Sequence, residues 1–461
     1  MTFQSEADGR VPDTVRPVVL SRRGPSRPAL SLGLVLIAVI ALLAGRALTG
    51  DQRGSGVGSG SAASGAPPSA AEVTAVLSVL DHHADALKHR DSAGWVADLD
   101  PAAAASRYTD TERAVLGNLR RVPLTTWRYV LSAPVTDPDV LAPAAVRLGG
   151  RAVILHVQLR YAFAVVDPAP TGRDLWLTAV HRPDGWKLAG DADATGPGGA
   201  SWQGPWNFGP LIVRASAHTL VLAHPAHRAE LAAFTDLVER SVPVVTSVWG
   251  SSWNDHVAVL IPDTAAEFAA VTADGADSED LAAVAVADSV TPAGVVLGAR
   301  IVLNPTTLGR LDAAGRRLVV RHELTHVATR AVTSDQLPTW LIEGFADYVG
   351  NLGSRQSVRQ AAQELAAEVH AGTVPAALPT AVDFGGGNQR LSQVYEESWL
   401  ACRLVASRAG QPGLVRLYEA VSAAAATDPD TAAEVGLRRV LGSGVVAFTS
   451  SWRAYLKAQL R

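Results

Sequence analysis

The first strong apolar signal along the chain is an uncharged run over residues 29–45, dominated by Leu30, Leu32, Leu34, Val35, Leu36, Ile37, Val39 and Ile40. Its length is at the short end of the roughly 17–25 residues that cross a bilayer as a helix. The pattern predicts a transmembrane helix over 29–48. Arg10, Arg16, Arg22, Arg23 and Arg27 precede it, and Arg46 and Arg53 follow. That bias predicts a cytoplasmic tail over 1–28 and a single-pass protein whose remaining domains are extracytoplasmic. A cleaved signal peptide, giving a secreted protein, is the alternative. Residues 49–70 are rich in Gly, Ser and Ala and read as a flexible linker.

A helical period follows, with Val73, Val76, Leu77, Val79, Leu80, Ala84 and Leu87 on one face. After a second helical stretch over 111–119 the texture turns to strands: 126–131, then 145–148 and 151–161 flanking Gly149-Gly150, then 175–180 and 186–189 flanking Pro183-Asp184-Gly185. Both glycine-bearing gaps are hairpin signals. Helices followed by an antiparallel meander predict a small α+β domain over 71–194. The order resembles the nuclear-transport-factor-2-like cone, without any motif to match; the resemblance implies a binding or spacing module whose ligand is open. His82 and His83, beside Asp81 and Asp85, read as a solvated helix face.

A Gly-rich joint over 195–204 leads into the region 201–461. Strand patterns occupy 211–213, 220–222, 257–261 and 300–303, with a helix over 226–248, and from Leu308 the pattern is almost wholly helical. A sheet followed by helices predicts a two-lobed α+β domain.

Composition narrows the function. With 48% hydrophobic and 18% charged residues the chain has ample material for a core, and a net charge of −4 without a long basic block argues against nucleic acid as a partner. The lone Cys402, in an apolar run, excludes both an intramolecular disulfide and a Cys-rich metal site and reads as a small buried hydrophobe.

The candidate chemistry lies in His322-Glu323-Leu324-Thr325-His326. Residues four apart share a helix face, so both imidazoles reach one metal ion while Glu323 points at a water beside it. Neutral imidazole suits Zn²⁺, and a neighbouring carboxylate can take a proton from the attacking water. A catalytic zinc needs a third protein ligand, and Glu343, in Leu337-Pro338-Thr339-Trp340-Leu341-Ile342-Glu343-Gly344-Phe345-Ala346-Asp347, follows at a spacing that allows a turn and a return helix. Asp347, four residues on, shares its face and is placed to accept a ring N–H from a liganding histidine.

These residues resemble the gluzincins, the thermolysin-like and aminopeptidase-like zinc peptidases: His-Glu-x-x-His followed by a Glu on a second helix within Glu-Gly-x-Ala. The resemblance implies His322, His326 and Glu343 as zinc ligands, Glu323 as general base and Asp347 as a supporting partner, with a peptide or protein as substrate. It also implies an oxyanion-steadying tyrosine further along, for which Tyr395 is the candidate. Strand 300–303 resembles the cleft-edge strand on which such enzymes align substrate. The aminopeptidase Gly-x-Met-Glu-Asn motif has no counterpart, Met1 being the single methionine, which points to an endopeptidase. The alternative reading is a catalytically inactive zinc-binding or metal-free surface protein. His218, His224 and His227 read as loop residues and His370 as surface.

Overall fold

The computed structural model describes residues 65–195, 199–272, 281–385 and 388–461, all within one compact unit. The expected membrane-spanning helix at 29–48, the tail before it and most of the linker lie outside the described residues. Among the described residues no helix is long and apolar enough to cross a membrane, so the α+β expectation stands without the transmembrane element. The single-pass, extracytoplasmic location and the membrane partner drawn from that element fall with it. The apolar run is at the short end of what crosses a bilayer.

The first lobe begins with α1 (Ala70–His89), α2 (Ser92–Ala97) and α3 (Ser106–Leu119). Ser69 and Glu72 form a reciprocal capping box that starts α1, and Arg90 ends it in the left-handed region. A four-stranded antiparallel sheet follows in the order β1 (Leu124–Pro134), β2 (Ala152–Phe163), β3 (Thr171–Arg182), β4 (Gly185–Gly190). The strand expected over 145–148 is instead the end of a helix, α4 (Pro138–Leu148). Asp137 caps it, Pro138 occupies its first turn and Gly149 closes it at φ 65°, so Gly149-Gly150 is a helix stop rather than a hairpin turn. β2 is apolar on both faces because both are covered. Ile154 packs with Leu141 and Leu148 of α4, while Val153, Leu155, Val157 and Leu159 face α1 and α3. His83 departs from the expected solvated face: it is buried and stacks on Trp95 at 3.5 Å.

The second lobe is built on a five-stranded mixed sheet: β5 (Ile212–Ala215), β6 (Thr219–Ala223), β7 (Val257–Ile261), β8 (Ala283–Val286) and β11 (Arg300–Leu303), in spatial order β5-β6-β7-β11-β8. A small ribbon, β9 (Ser289–Val290) and β10 (Val296–Leu297), stands beside it. β6, β7 and β11 run parallel, and β8 pairs antiparallel with β11 at the end of the sheet. Strand 300–303 is therefore interior. The four-residue Ala-Val alternation of β8 is too short to announce the strand that lies outside β11.

The two faces of this sheet belong to different cores. Val221, Val259, Ile261 and Ile301 pack against α5 (Arg228–Trp249) and α8 (Ala313–Thr329), whereas Leu220, Leu222, Leu260 and Val302 join Trp206 and Phe163 of the first lobe. Across the same boundary Arg300 grips Asp167 through two charge-assisted hydrogen bonds of 2.6 and 2.7 Å, and Arg173 pairs with Asp288. Short helices α6 (Ala265–Thr272) and α7 (Pro305–Leu308) flank the sheet. The rest of the chain is helical, as expected: α9 (Thr339–Gly350), α10 (Val358–Ala361), α11 (Gln363–His370), α12 (Leu391–Ala409), α13 (Gln411–Ser422), α14 (Pro429–Leu441) and α15 (Val445–Leu460).

Candidate metal centre

α8 starts where Asp312 accepts hydrogen bonds from the Ala314 and Gly315 amides. From Val319 its apolar residues are buried, so His322, Glu323 and His326 enter the interior as part of a helix enclosed on most sides. α9 returns beside it, and α12 closes the third side. The approach of α9 to α12 depends on Gly344: a Cβ there would sit 2.3 Å from the Ser398 carbonyl oxygen and 2.9 Å from Cys402 Sγ. Glycine brings Glu343 to the histidines by letting two backbones nearly touch. Cys402 is fully buried, as its apolar neighbours imply.

The geometry of the centre follows. His322 Nε2 and His326 Nε2 face each other at 2.7 Å, and Glu343 Oε2 lies 3.2 Å from the first and 3.5 Å from the second. One donor atom from each of the three residues lies within 4.8 Å of the others, close enough to bind one metal ion. Asp347 Oδ1 accepts a hydrogen bond from His322 Nδ1 at 2.8 Å, which turns Nε2 toward the ligand position. Two imidazole nitrogens and one carboxylate oxygen form the donor set of an open-sided zinc site.

The electrostatics favour a cation here. Glu323, Glu343 and Asp347 place three carboxyl groups in a space shielded from water. Burial works to lower the His322 pKa, but the Asp347 and Glu343 carboxylates outweigh it and push the ring up to about 10. Burial also works to raise Glu343, yet the two histidines hold it below its ordinary value. Burial dominates at Glu323 and raises it, against the pull of His322 and His326. A field that retains a proton on His322 also attracts a divalent ion, and metal binding would displace that proton. Both Glu323 oxygens are buried without a hydrogen bond of ordinary geometry, and Glu343 Oε2 has only the two imidazoles beside it. Carboxylate oxygens left this way are costly unless something else compensates them. The residues present fit a metal ion.

The remaining candidates separate. Tyr395 is buried on α12 with its ring centroid 6.5 Å from that of His322, and after burial its strongest electrostatic influences are Glu343, Asp347 and Glu323. It belongs to the centre's surroundings. Its sequence neighbours Glu396 and Glu397 are also buried, and Glu397 pairs with Arg390 at 2.8 Å. His218, His224 and His227 lie elsewhere in carboxylate pairs with Glu239, Glu267 and Asp263. The His224–Glu267 pair is fully buried rather than set in a loop surface. His370 is exposed at the end of α11.

Two features escaped the sequence reading. Arg330, one helical turn beyond His326, lines a small pocket together with His326, Val327 and residues of β8 and β10. The Ala285 backbone of β8 comes near enough to influence the Glu323 carboxyl. The i+4 spacing from His326 to Arg330 was visible; the approach of β8 is a tertiary event with no local signal.

No described protein family and no curated protein matches the sequence. Solved structures similar in part include a two-domain M1 zinc metallopeptidase mutant bound to L-tryptophan, at 15% identity over 54% of this chain and 52% of that one, TM-score 0.34. An M1 zinc metallopeptidase from Deinococcus radiodurans is 13% identical over 54% and 52%, TM-score 0.33. A two-domain M1 zinc metallopeptidase mutant bound to L-arginine is 11% identical over 68% and 92%, TM-score 0.35. The chain spans about half the length of the first two. The likeness is distant, and the site's own geometry carries its chemistry.

Proposed function

We propose that this chain is a zinc-dependent metallopeptidase that hydrolyses peptide bonds with Glu323 as general base. The observation that carries the reading is Glu323 itself: a wholly buried carboxylate with no side-chain partner, next to the His322–His326–Glu343 donor set. A purely structural metal site has no use for such a group. When bound, zinc would polarise the scissile carbonyl and acidify an attacking water. Glu323 takes the proton of that water and delivers it to the leaving amine, a task suited to a carboxylate whose pKa burial has raised above its ordinary value. Asp347 holds the His322 tautomer, and Tyr395 donates its hydroxyl proton toward the developing oxyanion.

The end strand β8 supplies a backbone edge beside Glu323, on which an extended peptide would add as a further strand. The absence of an amine-holding Gly-x-Met-Glu-Asn run favours internal cleavage over removal of an N-terminal residue. Residues 71–194 we read as a nuclear-transport-factor-2-like domain serving the 201–461 peptidase domain, a reading supported by helices packed on one antiparallel meander.

Metal analysis of the purified chain by mass spectrometry tests the foundation. About one zinc per chain, lost in His322→Ala, is the expected result. A chain that takes up no zinc after reconstitution contradicts the proposal.

A further inference from the structure

Where the turn after α9 meets the first half of α8, the surface opens into a cleft of about 530 Å³, within the range of small-molecule sites. Arg317 of α8 lines it together with Ser354, Arg355 and Gln356 of the turn and Gln360 of α10. Among the described residues no Asp or Glu lines it.

The hydrogen-bonding groups of this lining are unevenly divided. Gln360 Oε1 accepts from the Ser357 amide and from the Ser357 hydroxyl, both at 2.9 Å, which leaves its own N–H groups to donate. Ser354 Oγ accepts from the Gln356 amide, and its hydroxyl proton is unused. Arg317 and Arg355 each carry a fork of N–H donors and make no hydrogen bond, ion pair or ring contact with any described residue. Arg321 stands one turn beyond Arg317 on α8. It donates to the Leu352 carbonyl at 2.6 Å, yet its Nε is buried with no partner. Like charges four apart on a helix oppose each other, and no described carboxylate pairs with either arginine. The acidic residue at the start of α8, Asp312, is taken up by the Ala314 and Gly315 amides. Donors outnumber acceptors here, and the positive charge has no counter-charge.

We propose that this cleft binds a phosphate group, either the free ion or the end of a small organic phosphate. A phosphate monoester carries about −1.5 to −2 charge at neutral pH and three acceptor oxygens, which match two guanidinium groups and the neighbouring donors. Arginine forks hold such oxygens through parallel charge-assisted hydrogen bonds. A carboxylate brings less charge and fewer oxygens, and a cation would be repelled by Arg317 and Arg355. The volume exceeds what phosphate alone fills and leaves room for an organic body beside Ala314 and Gly353. The site uses none of the metal donors and stands whether or not the chain cleaves peptides.

Calorimetric titration of the full chain with inorganic phosphate and with phenyl phosphate, against benzoate, tests the assignment at a fixed ionic strength of about 0.15 M. The expected result is saturable binding of phosphate, with phenyl phosphate at least about tenfold tighter than benzoate. Phenyl phosphate tighter than the free ion identifies an organic phosphate as the ligand, and the reverse order identifies the ion. Arg317→Gln and Arg355→Gln, each checked for an unchanged melting temperature, should each weaken phenyl phosphate by about fivefold to tenfold. Arg120→Gln, exposed just after α3 in the first lobe, should leave it unaltered. His322→Ala should also retain the affinity, which binding through a metal would lose. No saturable heat, benzoate bound as tightly, full affinity in both cleft variants, an equal loss in Arg120→Gln, or loss in His322→Ala overturns the proposal. If half-buried Arg317 proves necessary for folding, exposed Arg355→Gln alone decides the charge requirement.

Discussion

Replacing Gly344 by alanine adds one methyl group where α9 and α12 cross, and the structure sets its consequence. The new Cβ would lie 2.3 Å from the Ser398 carbonyl oxygen and 2.6 Å from its carbonyl carbon. Both are backbone atoms of a buried helix and cannot rotate aside, so the helices must part by about 1 Å to restore ordinary contact. Overpacking of this kind costs about 1–3 kcal/mol. Alanine's better helix propensity returns at most about 1 kcal/mol. The net expectation is a loss of about 1–2 kcal/mol in urea unfolding. Activity should fall further than stability, because α9 carries Glu343 and Asp347 and α12 carries Tyr395. A displacement near 1 Å in a catalytic constellation costs on the order of 100-fold. Hydrolysis of an internally quenched peptide at saturating zinc reads this directly. Gly117→Ala, in α3 with nothing within 4 Å of its added methyl, serves as the control and should be neutral or slightly stabilising. A Gly344→Ala protein as stable and active as the parent would refute the close-crossing argument.

Three other perturbations probe separate parts of the account. Asp347→Asn weakens the acceptor for His322 Nδ1–H and should lower zinc affinity about 10–100-fold in chelator competition while leaving the fold intact; unchanged affinity would remove Asp347 from the centre. Arg300→Ala strands buried Asp167 between the lobes and should cost about 3–5 kcal/mol in urea unfolding, whereas a loss under 1 kcal/mol would show that the pair does not join them. At Glu396, burial and then the Glu364 carboxylate push the pKa up to about 10. The folded state thus keeps a proton that the unfolded chain has released above about pH 4.5, so this group makes stability decline as pH rises from there toward 10. Glu396→Gln should match the parent near pH 4.5 and exceed it increasingly through pH 8 in thermal melts; parallel curves would exclude a neutral Glu396.

What the sequence disclosed about the site was local chemistry. His322 and His326 must be four apart to share a helix face, and Glu343 must follow after a turn. These constraints are written into the order of residues, and the folded chain brings those three donors together. Asp347 was legible for the same reason. Tertiary relations were not. β8 lies outside β11 although its four residues, Ala283 to Val286, are too short a run to announce a strand, so the end of the sheet was misplaced. α4 was misread as a strand because its apolar run adjoins two glycines, yet its Asp-Pro start and left-handed Gly149 stop were present. His83 looked solvated because its sequence neighbours are acidic; Trp95, outside its helix, covers it. The Gly-rich joint and the residues just after it concealed partly buried Trp202 and buried Trp206, which pack into the core shared by the two lobes. Hydropathy and the flanking arginines produced the membrane-spanning expectation, and no helix among the described residues meets it.

The central claim is that Glu323 performs the proton transfer at a zinc site assembled by its neighbours. Parallel measurement of zinc content and peptide hydrolysis in the parent and Glu323→Gln tests it most directly. The account predicts about one zinc per chain in both proteins, with hydrolysis in the variant reduced at least about 100-fold. Equal hydrolysis by the two zinc-loaded proteins, or no hydrolysis of any library peptide by the zinc-loaded parent, would contradict it.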